Sequence, residues 1–332
     1  MGEKFSYSGA ETGWNNSRKT KAQQELLRFR GNLLNKRMEY PLDYKIMLAK
    51  RRIQTAINKY GEENCYISFS GGKDSTVLSH LVSSMGYKLE HVYSNTRLEY
   101  PECVKFSREW CKNNDVKLTM VLPEMLPLDV WKKHGYPMFS KEVAELLERM
   151  RLGYKCHPKK IKKVKGFLEK LGYTGDPSDK DKVQVFLKRK GLKISSKCCY
   201  YLKKKPMKDW QKKSGKKVAI MGVRAEESQV RRTVWVRKGC IYETKDQVVV
   251  NPIIFFTHKD IEEYAKRHNI RFADIYYKGM KRNGCFCCGF GCHMVEENNF
   301  IKLKELNPQL WATVTNHWGF GKICKTCGVE IE

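Results

Sequence analysis

Tyr66-Ile-Ser-Phe-Ser70-Gly-Gly-Lys-Asp-Ser75-Thr-Val-Leu78 decides how this chain is read. A short run of β-formers, Tyr66 to Ser70, feeds a Gly-Gly turn, and an apolar helical pattern from Thr76 to Met85 follows directly. Paired glycines let the backbone approach an anion closely, and successive N–H groups at a helix N-terminus form a nest for phosphate. Lys73 adds a point charge, and Ser70 and Ser75 add hydroxyl donors. Asp74 suits such a site only where it positions Mg²⁺ or neighbouring backbone. An ordinary strand-to-helix turn is the alternative reading.

Outward from this loop the pattern alternates. Leu89–Ser94 reads as a strand, Pro101–Asn114 as a helix with proline at its start, Lys117–Leu122 as a third strand and Lys217–Val223 as a fourth. His258–His268 reads as a helix capped by Thr257, with Asp260 at the third helical position in place of the Glu or Gln of a capping box. Alternation at this spacing predicts an α/β fold, a doubly wound parallel sheet with ligands at the carboxyl ends of its strands. The expected organisation is a helical N-terminal extension over 1–60, interrupted near Pro41, and a nucleotide-binding half over 61–140. A basic, mostly helical insertion over 141–216 leads to Cys198–Cys199; the second half of the α/β domain spans 217–280, and a cysteine-rich C-terminal segment spans 281–332.

The 332 residues carry 64 Lys+Arg against 36 Asp+Glu, a formal charge of +28. Hydrophobic residues make up 41%, which excludes wholesale disorder. The charge is uneven. Residues 155–217 hold 22 Lys/Arg against five acids, a net of +17. Such a segment implies a polyanion partner, because Lys and Arg neutralise phosphates and release counterions; a solvated basic face is the alternative. No apolar run approaches the ~20 residues of a membrane helix, and the polar N-terminus offers no signal-peptide core, so a cytoplasmic protein without a membrane partner is expected.

Thirteen cysteines then call for reducing surroundings. Eight lie in tight groups: Cys198–Cys199, the cluster Cys285, Cys287, Cys288 and Cys292, and Cys324-x-x-Cys327. Metal binding or thiol chemistry accounts for such grouping. Adjacent cysteines are awkward for one tetrahedral zinc, so an iron–sulfur cluster competes with zinc and with buried structural thiols. Tyr136 and Phe139, in Gly135–Lys141, are equally suited to bordering an adenine pocket or to packing a turn on the core.

Several of these stretches carry a resemblance. Ser70-Gly-Gly-Lys-Asp-Ser75 resembles the PP-loop of the ATP pyrophosphatases, the adenine nucleotide alpha-hydrolase-like superfamily that cleaves ATP between its α and β phosphates. Asn95-Thr-Arg-Leu-Glu-Tyr-Pro-Glu102 resembles the segment after the second strand in the phosphoadenosine phosphosulfate (PAPS) reductase branch, and Gly222-Val-Arg-Ala-Glu-Glu-Ser228 with Arg231 and Arg232 resembles its substrate loop. The resemblance implies a nucleotide site of Ser70, Gly71, Gly72, Lys73, Asp74, Ser75, Asn95, Thr96, Gly222, Arg224, Glu227, Ser228, Arg231 and Arg232, with Lys73 and Asp74 catalytic and Mg²⁺ alongside.

Cys198–Cys199 and Cys285-x-x-Cys288 resemble the ligand set of the iron–sulfur adenylylsulfate reductases, which implies a [4Fe-4S] cluster on those four residues. Cys287 and Cys292 are substitutes, and Cys285, Cys288 and Cys292 alone form a C-x₂-C-x₃-C run that suits a cluster. Cys327-Gly328 is similar to the mobile C-terminal Cys-Gly element of sulfonucleotide reductases, which implies Cys327 as a nucleophile. Thr326, Val329 and Glu330 depart from that pattern, leaving a redox or persulfide-relay dithiol with Cys324, or an inert tail, as other readings.

Three functions follow as expectations. The first is an enzyme that uses ATP at the PP-loop for sulfur or adenylyl transfer to a nucleic acid, tRNA or DNA, held through residues 155–217 and served by a sulfur donor. The second is a PAPS or adenylylsulfate reductase that releases sulfite with a thioredoxin-like reductant. The third is a non-catalytic, nucleotide-sensing DNA-binding regulator.

Overall fold

A computed structural model describes residues 20–294 and 298–331. The first nineteen residues, which include the start of the helical extension, lie outside it. Thr20 caps α1 (Lys21–Met38) in a capping box with Gln23, and Pro41 separates that helix from α2 (Leu42–Tyr60). The alternating region then follows: β1 (Cys65–Phe69), α3 (Lys73–Ser83), β2 (Glu90–Ser94), α4 (Pro101–Asn113) and β3 (Leu118–Val121). Next come α5 (Pro127–His134) and β4 (Met138–Phe139). The basic insertion is helical, with α6 (Lys141–Arg151), α7 (Pro158–Lys170), α8 (Lys180–Arg189), a π-turn over Tyr200–Lys204 and α9 (Lys205–Ser214). After it run β5 (Val218–Met221), α10 (Gln229–Lys238), β6 (Ile241–Glu243), β7 (Val248–Val250) and α11 (His258–Arg267). The described chain ends with β8 (Gly289–Phe290), α12 (Asn299–Leu306), α13 (Pro308–Ala312) and α14 (Phe320–Thr326).

The central sheet has the order β3-β2-β1-β5-β7-β6. Its middle pairs, β1 with β5 and β5 with β7, are parallel, whereas β6 runs antiparallel to β7 at the edge. The fold is α/β with a mostly parallel sheet, and the antiparallel edge is the departure from the wholly parallel expectation. The central strands read as near-continuous apolar runs, Cys-Tyr-Ile-Ser-Phe, Val-Ala-Ile-Met and Val-Val-Val, as strands buried on both faces must. A separate parallel pairing joins the two-residue strands β4 and β8.

Two compact units divide the chain. The first comprises the described residues through Val92, with Glu109–Leu118 and Gly215–Phe272; the second comprises Tyr93–Arg108, Thr119–Ser214 and Ala273 onward. The first unit includes a core of Leu34, Ala225, Trp235, Ile254 and Phe255, with Arg37 and Arg52 lying over the Phe255 ring at 5.3 and 4.5 Å. On α11, Asp260 completes the capping box with Thr257 and also receives Lys45 Nζ at 2.6 Å, a buried pair that fixes α2 to α11. The core of the second unit is aromatic: Trp131 meets Phe320 edge-on at 4.9 Å, and Phe300 packs on Phe320 at 5.2 Å. Each such ring contributes roughly 1.5–3 kcal/mol through burial. Among the described residues no helix is long and apolar enough to cross a membrane.

Candidate functional sites

The phosphate loop of the first unit is built from its own backbone. Gly71 takes φ +65°, a left-handed conformation that glycine adopts without strain, and Gly72 then begins α3. No side-chain hydrogen bond caps α3 at Gly72, and a helix N-terminus of this kind suits an anion. Ser75 Oγ accepts from the Ser70 N–H at 3.3 Å and donates to Gly72 O at 3.0 Å, while Ser70 Oγ accepts from the Gly72 N–H at 3.4 Å. The two hydroxyls therefore shape the loop.

Gly222, just beyond β5, stands against this turn. A Cβ there would lie 2.9 Å from the carbonyl carbon and oxygen of Asp74 and from Ser75 N, all backbone atoms, so only glycine lets β5 approach the loop. Arg224 follows and is buried. Its Nε donates to Asp74 Oδ1 at 2.8 Å and its Nη1 to Glu226 Oε2 at 2.8 Å, while its N–H reaches Glu227 Oε2 at 3.1 Å. Burial raises the Asp74 pKa and Arg224 opposes that rise. Lys73 Nζ lies 3.6 Å from Glu262 Oε1 and 5.7 Å from the Phe272 ring centroid.

The remaining arginine-loop residues have visible roles. Glu227 pairs with Arg231. Ser228 caps α10, its Oγ accepting the Arg231 N–H at 3.3 Å. Arg232 is bonded to Asn35 and meets Met38 Sδ at 3.4 Å, so it faces α1. Asp74, Gly222 and Arg224 thus meet at the phosphate loop, whereas Arg232 is spent on a neighbouring helix.

A cysteine site belongs to the second unit. Cys198 and Cys199 precede the π-turn, and Cys285 and Cys288 sit on a tight loop closed by the Cys288 N–H to Cys285 O at 3.1 Å. The loop is anchored by an isolated antiparallel bridge between Glu99 and Cys285, and Asn299 Nδ2 donates to Cys288 O at 2.9 Å. The four thiols feel one another's charge. A hydrogen bond with Cys198, together with Lys141, Lys203 and Lys204, lowers the Cys199 pKa. Burial, then Glu99, pushes Cys285 up to about 11; the hydrogen bond with Cys199, then burial, raises Cys198; and burial, then Cys285, raises Cys288. Among the described residues no three Cys, His, Asp or Glu side chains are gathered to hold a single metal ion. Four thiols close enough to influence one another's titration, with Lys141, Lys203 and Lys204 to offset negative charge, fit the donor chemistry of an iron–sulfur cluster, which is larger than one ion.

Thr96 and Asn95 belong to this unit. Thr96 Oγ1 donates to Glu99 Oε1 at 2.8 Å and lies 3.6 Å from Cys285 Sγ, a neighbour that sequence spacing gave no means of finding. Asn95 Oδ1 accepts the Arg97 N–H at 2.9 Å, which supports Arg97 at φ +67°. Cys287 is buried, its thiol raised by desolvation and the neighbouring Cys285 and Cys288. Cys292 instead neighbours Cys324 and Cys327. Cys327 is 1% exposed at the end of α14, and burial pushes its thiol up to about 12, so it is a core residue and not part of an exposed tail. Phe139 is wholly buried and packs on Phe167 at 4.8 Å, and Tyr136 donates its hydroxyl to Trp318 O at 2.9 Å, which is core packing.

Residues 64–175 and 140–289 match the phosphoadenosine phosphosulfate reductase domain family. The chain belongs to that family. This PAPS reductase-domain chain is 24% identical over 257 residues to an uncharacterized protein of Methanocaldococcus jannaschii, covering 76% of this chain and 48% of that protein. It is 34% identical over 94 residues to an adenosine 5'-phosphosulfate reductase of Anoxybacillus flavithermus, covering 28% and 38% respectively. The chain therefore spans about half the length of the first relative and less of the second. Among solved structures it is similar to the phosphoadenylyl-sulfate reductase of Candida auris at 14% identity and a TM-score of 0.45, covering 80% of this chain and 97% of that one.

Proposed function

We propose that this chain binds ATP at Ser70–Ser75 and uses it to activate an oxygen of a nucleic acid for replacement by sulfur. The carrying observation is the intact phosphate loop, with an uncapped helix N-terminus, Lys73 beside it and Gly222 and Arg224 packed onto it. An acceptor oxygen attacks the α-phosphorus, the bond to the bridging α–β oxygen breaks, and pyrophosphate leaves with the electron pair. Lys73 and the α3 N–H groups stabilise the charge that develops there. Mg²⁺ would enter with the ATP, and Asp74, whose Oδ1 accepts from Arg224 Nε, is the carboxylate of the loop that would help to hold it. A sulfur nucleophile then displaces AMP at the activated carbon. Cys198, Cys199, Cys285 and Cys288 are the residues that would hold a [4Fe-4S] cluster, which would supply electron-transfer or sulfur-binding chemistry when present. The net +17 of residues 155–217 favours a nucleic acid as acceptor.

The test is pyrophosphate release by anaerobically purified protein given Mg-ATP and a pool of tRNA or DNA. Release that stops in Lys73→Ala supports the reading; no release with any nucleic acid refutes it. The match to an adenosine 5'-phosphosulfate reductase favours a second reading, sulfonucleotide reduction. The burial of Cys327 counts against it. Sulfite released from PAPS or adenylylsulfate by reduced thioredoxin would establish it.

A further inference from the structure

The basic insertion exposes more than charge. α6 ends at Arg151, and Gly153, at φ +77°, turns the chain back so that the Tyr154 N–H reaches Arg149 O at 2.9 Å. The turn rests on α8: a Cβ at Gly153 would come within 3.3 Å of the Gln184 side-chain amide. Three large apolar side chains stand out on these two touching elements, Leu152 at 46%, Tyr154 at 58% and Val185 at 48% exposure. The Arg149 guanidinium lies 5.8 Å from the Tyr154 ring centroid and donates to Lys155 O at 3.3 Å, which holds the ring's surroundings in place. Exposed Arg149 and Lys155 flank the turn, and exposed Lys188 and Arg189 lie on α8 with Lys182, which pairs with Asp179 at 3.0 Å.

We infer that this face binds unpaired nucleic acid, with a base stacked on Tyr154 and the flanking phosphates on the cations. An exposed aromatic ring beside a guanidinium is a stacking platform for any base, whereas a base within a duplex has no exposed π-face to offer it. Aliphatic neighbours such as Leu152 and Val185 suit base and sugar edges better than a phosphate backbone. This deepens the nucleic-acid reading above and rests on it: it names the strand state of the acceptor and the surface that presents it.

The experiment uses the full chain and fluorescein-labelled dT20, U20 and a 20-base-pair duplex, read by anisotropy across a salt series. Tyr154→Ala is expected to weaken the single strands roughly 5- to 100-fold and the duplex hardly at all. Tyr154→Phe keeps the ring and should stay within about twofold of the parent. Lys188→Gln with Arg189→Gln should flatten the salt slope by up to about 0.7 for each cation lost, a change Tyr154→Ala should not produce. Unchanged single-strand affinity in Tyr154→Ala overturns the proposal, as does binding to anionic phosphatidylserine vesicles but to none of the oligonucleotides. Pyrophosphate release is scored separately. Tyr154-dependent binding without release would leave this surface standing and remove the ATP reading; release indifferent to Tyr154, from protein that binds the strands unaided by it, would do the reverse.

Discussion

Arg224 Nε donates to Asp74 Oδ1 across 2.8 Å, with both side chains largely buried, and this contact ties the arginine loop to the phosphate loop. Removing one partner of a buried pair leaves an uncompensated charge, at a cost of roughly 3–5 kcal/mol. Arg224→Met is therefore expected to lower the denaturation midpoint sharply and to weaken ATP binding. Adding Asp74→Asn to it removes the orphaned carboxylate, so the double variant should regain much of the stability while remaining weak for ATP. A double variant no more stable than Arg224→Met would show that the pair is not coupled.

The loop itself was legible because everything that defines it is local: a strand, two glycines and a helix within Tyr66–Leu78. So were the capping of α11 by Thr257 and the break between α1 and α2 at Pro41. What stayed hidden was long-range or short. β6 and β7 are three residues each and β4 and β8 two, too brief for an alternating pattern to register. Arg232 reads like Arg224 by residue type alone, yet α10 turns it to Asn35, 197 positions away. Cys292 follows Cys288 closely in sequence, but its thiol neighbours are Cys324 and Cys327. The gathering of Cys198 and Cys199 with Cys285 and Cys288 was available only through resemblance, since no spacing rule joins pairs separated by 85 residues.

That gathering makes the cysteines separable by mutation. Anaerobically purified protein is expected to carry about four irons per chain with broad absorption near ~400 nm. Ser at position 198, 199, 285 or 288 should lose most of the iron, whereas Cys287→Ser and Cys292→Ser should keep it. Equal loss in Cys287→Ser would mean that the ligand set includes Cys287, and zinc without iron would dismiss the cluster altogether.

Cys327 offers a test by chemistry alone. The thiolate is the reactive form, and a thiol held at about 12 and shut in the core presents almost none of it. Iodoacetamide at pH 8 should leave Cys327 unmodified in the native protein and label it fully in guanidinium, as peptide mass spectrometry would register. Rapid native labelling would restore Cys327 as a candidate nucleophile.

His91 is a buried titrating group of the first unit. Its Nδ1 bonds Leu89 O at 2.9 Å, its Nε2 meets Ser79 Oγ at 2.6 Å, and the Phe69 ring stands edge-on at 5.1 Å. Burial pushes its pKa down to about 4 from an ordinary value of 6.5, so the folded chain holds the neutral ring while the unfolded chain takes up a proton. A depressed folded pKa means that the stabilisation is complete above pH 6.5 and is lost as pH falls toward about 4. The loss amounts to about 3 kcal/mol across that window, at ~1.4 kcal/mol for every pH unit separating the folded and unfolded titrations. His91→Gln removes the titrating group at some cost in packing. Its stability should be lower at pH 7.5 but fall less steeply between pH 6.5 and 4.5, as urea midpoints at several pH values would reveal. Parallel slopes in the two proteins would assign the acid sensitivity to other groups.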